Sequence, residues 1–205
     1  YDSTDDIGKL FDLAADGHMY SRISNPTVAY YEQKLAALEE GIGAVCTTSG
    51  QAASFLSLFN ICTAGQHFIA CAKIYGGTYN LFNVTMRRMG IDCTFIDQDA
   101  SEDEIQKAFR PNTRAVFGES LANPALSVLD IEKLARIAHK NGVPLIVDNT
   151  FPTPIFCNPI RFGADIVVHS TTKYLDGHAT CVGGVVIGLP VAVALICLGI
   201  PFIAA

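Results

Sequence analysis

Short apolar runs, each delivering the chain into a polar loop and then a helix-like stretch, recur along most of this sequence and limit its fold more than any other feature. Gly43 to Thr48, His67 to Cys71, Cys93 to Ile96, Arg114 to Gly118, Pro144 to Val147 and Asp165 to Val168 read as strands by length and β-branched content. Helices are predicted between them. One starts at Pro26 behind the capping Asn25 and ends at Gly41, with Val28, Tyr31, Leu35 and Leu38 as its apolar stripe. Others run from about Ala52 to Ile61 and from about Thr78 to Met89. A Ser101…Glu104 capping box opens a helix to Phe109, and Asp130 caps Ile131 to Lys140. Such alternation gives a three-layer α/β/α domain on a mostly parallel sheet, and the loops beyond the carboxyl ends of parallel strands share one edge.

At 205 residues and 50% hydrophobic content, the chain suffices for one such domain or a large part of a bigger one. A net charge of −6 with scattered Lys and Arg offers no basic face, which excludes nucleic acid as a partner class. Seven cysteines, an odd number without a C-x-x-C pair, read as reduced thiols of a cytoplasmic protein. No signal peptide precedes the fold. The start at Tyr1 rather than Met reads as truncated, and the acidic, then loop-like residues 1–25 read as an incomplete N-terminal arm.

The loops carry the chemistry. Lys173 lies just past the last predicted strand with the hydroxyls of Ser170 and Thr172 beside it. It opens an ordinary solvated helix or serves as a Schiff-base amine next to a phosphate. Ser49, Gly50 and Gln51 stand between a strand and a helix start, where free N–H groups attract an anion and glycine lets it come close; Ser49 suits a plain helix cap equally well. The stretch is neither a P-loop nor G-x-G-x-x-G, so a nucleoside triphosphate or dinucleotide has no support. Tyr75 precedes two glycines and offers a stacking platform, and Asn123 sits in another polar loop after a strand. Asp148 ends a strictly apolar strand, where a carboxylate needs a partner: a ligand cation, or backbone N–H groups as a cap. Tyr20 and Arg22, in the loop before Asn25, suit a phosphate by hydroxyl and guanidinium. Pyridoxal phosphate has a use for this whole set: a lysine for its aldehyde, an anion site, an aromatic for its ring and an acid for its pyridine nitrogen.

Residues 20–27, 48–53, 147–150 and 169–178 are similar to the Cys/Met-metabolism pyridoxal-phosphate enzymes, the family of cystathionine γ-synthase, the γ-lyases and O-acetylhomoserine sulfhydrylase. The likeness runs from about residue 10 to 188, and residues 49–53, 75–82 and 174–178 most resemble the sulfhydrylase branch. The resemblance implies the large domain of a fold-type I pyridoxal-phosphate enzyme over residues 26–188. It implies that Lys173 holds the cofactor and moves protons, Asp148 pairs with the pyridinium and Tyr75 stacks on the ring. Gly50, Gln51, Ser170 and Thr172 would hold the phosphate, Ser49 would also contact the cofactor, and Asn123 would lie close to its ring. Tyr20 and Arg22 would reach the phosphate of a neighbouring subunit, implying a homodimer or homotetramer with shared sites. The activity implied is γ-replacement on the amino acid O-acetylhomoserine with sulfide, giving homocysteine. A γ-lyase or cystathionine γ-synthase is the sister alternative, and a non-catalytic cofactor-binding fragment is the other class. No metal is expected.

Family members continue into a smaller C-terminal domain carrying an arginine for the substrate carboxylate, and nothing here matches that domain. Residues 189–205 instead form an uncharged apolar tail unlike the family. With two prolines, and shorter than the roughly 20 residues of a membrane span, it reads as a truncated or frame-shifted end rather than an anchor.

Overall fold

The computed structural model describes residues 2–188; the apolar tail lies outside the described residues. The six predicted strands form close to their expected bounds as β1 (Gly43–Thr47), β2 (His67–Cys71), β3 (Asp92–Ile96), β4 (Thr113–Glu119), β5 (Leu145–Asp148) and β6 (Ile166–Ser170). A seventh, β7 (Gly184–Gly188), lies in a stretch to which the sequence reading assigned no element. All seven make one sheet of order β1-β7-β6-β5-β4-β2-β3. β7 is antiparallel to β1 and β6, and every other neighbouring pair is parallel. All residues of β2 and β7 are buried. Successive strand side chains point to opposite faces, so both faces of the sheet are covered.

The helices that cover it are α2 (Pro26–Glu39) against β1 and β7, α3 (Gly50–Phe59) against β6 and β7, and α6 (Ile131–Lys140) against β4 and β5. Their caps form as read. Asn25 accepts from the N–H of Thr27 and Val28, Ser49 from that of Ala52, and Asp130 from that of Lys133. The capping box closes in both directions at α5 (Glu102–Gln106). The core runs between the layers; Phe68, Phe82 and Phe117 meet edge to face at ring-centroid distances of 5.0 and 4.9 Å, the geometry that aromatic quadrupoles favour.

Several local expectations are corrected. Residues 1–25 are not loop throughout, because α1 (Thr4–Phe11) forms within them. It buries no residue and is held by the Ser3 cap, Asp5 and Asp6 in its first turn and Lys9 in its last; its short apolar stripe of Ile7, Leu10 and Phe11 is a signal that the loop reading misses. In α2 the predicted stripe is only partly buried. Leu35, Ala36 and Glu39 are inside, whereas Val28, Tyr31 and Leu38 stay exposed, since the face turned to the sheet is the one that carries Leu35, Ala36 and Glu39. The single helix predicted from Thr78 divides into α4 (Gly76–Asn80) and a π-helical turn, Leu81–Met86. A short α7 (Thr153–Phe156) and a 3-10 turn (Pro159–Phe162) fill the expected β5 to β6 loop.

Among the described residues no helix is long and apolar enough to cross a membrane. The six described cysteines are free; burial pushes the Cys62 and Cys71 thiols up to about 12, which leaves them chemically quiet.

His67 opens β2 with no exposed surface, its ring nitrogens paired with Thr113 Oγ1 at 2.8 Å and Thr94 Oγ1 at 2.9 Å. Burial pushes its pKa down from 6.5 to about 4. The unfolded chain therefore takes up a proton near pH 6.5 that the folded one refuses until about pH 4, and stability falls as pH falls through that window. We expect the parent to lose about 3 kcal/mol more than His67→Gln between pH 7 and pH 4, measured by denaturant unfolding at each pH. Equal losses would show that His67 does not titrate in this way.

Candidate active site

Because β2, β4, β5 and β6 run in parallel, their carboxyl ends open on one edge, and there the chain encloses a cavity of about 320 Å³. Its wall carries Ser49, Gly50, Gln51, Tyr75, Asn123, Asp148, Ser170, Thr172 and Lys173. Tyr20 and Arg22 are not on this wall. They lie in the turn before α2, with the Arg22 guanidinium 5.2 Å from the centre of the Tyr20 ring and Tyr20 half exposed.

At one side of the cavity α3 begins. Among the described residues the N–H groups of Gly50 and Gln51 have no acceptor, as first-turn donors do not, and the Ser170 hydroxyl has no partner. Gly50 matters for a steric reason: a Cβ there would come within 2.5 Å of Ser170 Cβ, so only glycine lets the helix start meet the end of β6. Thr172 is fixed to the backbone of Gly183, donating to its oxygen and accepting from its nitrogen. Gln51 donates to Thr78 Oγ1 at 2.8 Å. Lys173 follows in a turn, not a helix, and its amine has no ion-pair or hydrogen-bond partner among the described residues.

At Asp148 the cap forms and one oxygen is left over. Oδ1 accepts from the Thr150 N–H at 3.0 Å and from the Thr150 hydroxyl, which is the cap. Oδ2 has no partner among the described residues, on a carboxylate that lines the cavity. Burial pushes the Asp148 carboxyl up, while the Thr150 hydrogen bonds pull the other way.

Beneath the cavity runs a buried polar network. His169 Nε2 meets Glu39 Oε1 at 2.6 Å, and Asn149 Nδ2 donates to the same oxygen at 2.9 Å. Ser120 donates to Asn149 Oδ1 at 2.8 Å. It ties α2 to the residues that adjoin Asp148 and Ser170.

Sequence reasoning missed Thr78, Glu119, Leu121, Thr150 and Phe151, which complete the wall. For Glu119 a signal existed: it ends β4 as Asp148 ends β5, and the two are paired across the sheet. Its carboxyl is pushed up to about 7, first by burial and then by the charge of Asp148. A second concavity of about 590 Å³ shares Phe151, Thr172 and Lys173 with the first and continues along Tyr174 to Val182.

A family model described as Cys/Met metabolism PLP-dependent enzyme matches residues 1–193. The chain belongs to this family. Its cofactor is pyridoxal phosphate. Relatives in the family include the O-acetyl-L-homoserine sulfhydrylase of Leptospira meyeri, 46% identical over 187 residues, which cover 91% of this chain and 42% of that protein. The homocysteine/cysteine synthase of Kluyveromyces lactis is 48% identical over 180 residues, 87% of this chain and 40% of that one. The crystal structure of an O-acetylhomoserine (thiol)-lyase from Campylobacter jejuni, which contains a pyridoxyl-lysine phosphate, superposes with a TM-score of 0.87 at 38% identity. The match covers 95% of this chain and 48% of that one. The chain thus spans roughly 40% of the length of the curated relatives, and the family's mostly parallel large-domain fold accounts for it.

The contact between Gly50 and Ser170 yields a direct test. Gly50→Ala should cost about 1 to 3 kcal/mol by overpacking. Gly76→Ala, where a Cβ meets nothing within 4 Å, should be neutral or stabilise by about 0.5 kcal/mol. Denaturant unfolding of the two variants compares them, and equal stabilities would refute the close-approach argument.

Proposed function

We propose that this chain is the cofactor-binding part of an enzyme that replaces the γ-substituent of O-acetylhomoserine with sulfide, giving homocysteine. The observation that carries the reading is that Lys173, the unpartnered Oδ2 of Asp148, the Tyr75 ring and the free N–H groups at the start of α3 all line one cavity. That donor set fits pyridoxal phosphate group by group: an amine for the aldehyde, a carboxylate for the pyridine nitrogen, a ring face, and N–H and hydroxyl donors for the phosphate.

When bound, the cofactor supplies an electron-withdrawing ring that stabilises negative charge on substrate carbon. In our reading, Lys173 Nζ holds the cofactor and then carries protons between substrate positions, which its place on the wall shared by both concavities allows. Asp148 keeps the ring nitrogen protonated, and Thr150 keeps Asp148 oriented. Tyr75 supports the ring and Asn123 borders it. Gly50 and Gln51, with the Ser49 and Ser170 hydroxyls, would bind the phosphate, joined by the Thr172 hydroxyl once it turns its proton away from Gly183. Tyr20 and Arg22, exposed and away from the cavity of their own chain, are free to complete the site of a second copy, so the working unit is a homodimer or larger. We assign it to the cytoplasm, in keeping with the free thiols.

Borohydride reduction of the protein with pyridoxal phosphate should fix the pyridoxyl group on Lys173; peptide mapping that found it on Lys73 or Lys140 would overturn the assignment. In the full-length protein, Asp148→Asn keeps the cap and removes the charge. Turnover at saturating cofactor should then drop by about 3 kcal/mol in barrier, roughly a hundredfold. Turnover within about twofold of the parent would leave Asp148 with the cap alone. Release of a 2-oxo acid instead of homocysteine would indicate γ-elimination.

A further inference from the structure

We propose that Glu119 is a positioning residue of this site, holding the Tyr75 and Asn123 backbones at a fixed separation through its two carboxylate oxygens; the inference rests on the cofactor reading above. Oε1 accepts from the Tyr75 N–H at 2.7 Å and Oε2 from the Asn123 N–H at 3.2 Å. Tyr75 belongs to the loop after β2 and Asn123 to the loop after β4, so one side chain bridges two loops that both border this cavity. Both bridged residues expose side chains to the space assigned to the cofactor ring.

The choice of residue at this position argues for function over packing. Glu119 is only 5% exposed and its strand partner is Asp148, so its negative charge is placed where burial and a like charge both oppose it. A residue serving stability alone would avoid that cost. A carboxylate offers two acceptor oxygens, which two converging N–H groups require, whereas an amide side chain offers one. Loops that needed only loose closure would not need both. Glu119 thereby commits both its oxygens to the two loop amides, and leaves Asp148 Oδ2 as the acidic oxygen open to a ligand.

The test compares the full-length parent with Glu119→Ala and Glu119→Gln by amide hydrogen exchange without cofactor and by absorbance titration with pyridoxal phosphate. In Glu119→Ala the Tyr75 and Asn123 amides should exchange at least about tenfold faster while those of β2 and α6 keep the parent rates. Cofactor affinity should weaken by about tenfold, the equivalent of one hydrogen bond of about 1.4 kcal/mol. Glu119→Gln, which keeps one acceptor, should fall between parent and Ala. Unchanged exchange at both amides, or an affinity within twofold of the parent, would overturn the inference alone. So would loss of protection spread evenly through β2, β4 and α6 in both variants, which would mark a general packing role. A parent that takes up no pyridoxal phosphate would instead overturn the cofactor reading.

Discussion

The parallel pairing of β4, β5 and β6 is the constraint on which the site depends. Parallel strands end on the same edge, and the register sets Glu119 against Asp148 and Asp148 against Val168, close to Ser170. Three chain segments far apart in sequence thus deliver an acid, a second acid and a lysine-bearing turn to one place. Parallel pairing also demands crossovers over the sheet faces, which explains why the interior strands are mostly apolar along their middles.

The strand ends are then locked by groups that would be unfavourable elsewhere. Glu39 and His169 are both wholly buried, with Glu39 Oε2 and His169 Nδ1 left without partners among the described residues. Taking such groups from water costs several kcal/mol, so the pair adds little net stability, but losing either member would strand the other in the interior. The pair restricts which packings survive: α2 must sit where Glu39 meets His169 and Asn149, and that fixes the residues next to Asp148 and Ser170. Gly50 works in the opposite way, by having no side chain where Ser170 approaches.

The electrostatics of the cavity follow from these placements. Two carboxylates at adjacent strand ends repel one another, and burial disfavours the charge of both. Thr150 compensates Asp148, and the Tyr75 and Asn123 amides compensate Glu119, so the acids persist without a salt bridge. Among the described residues the Lys173 amine is unpaired. A cavity with one open acidic oxygen, Asp148 Oδ2, at one wall and free N–H donors at another is arranged for a ligand carrying both signs of charge, and pyridoxal phosphate is such a ligand.

Much of this was legible in the sequence because it is written locally. Strand-length apolar runs, caps at Asn25, Ser49, Ser101 and Asp130, and polar residues just past each run depend on neighbours within a few positions. They led to the fold class and to the candidates on the cavity wall. What stayed hidden depends on distant partners. β7 is a strand because β1 and β6 flank it; Val28, Tyr31 and Leu38 stay exposed because α2 turns its Leu35, Ala36 and Glu39 face to the sheet. Glu119 matters because two loops converge on it, and Gly50 is needed because Ser170 lies against it. The sequence by itself determined the alternation of strands and helices and which residue types follow each strand, since propensity and capping act over one or two turns. Only the tertiary structure decided which of those residues face one another, because strand order and register arise from packing between segments that are not neighbours in sequence.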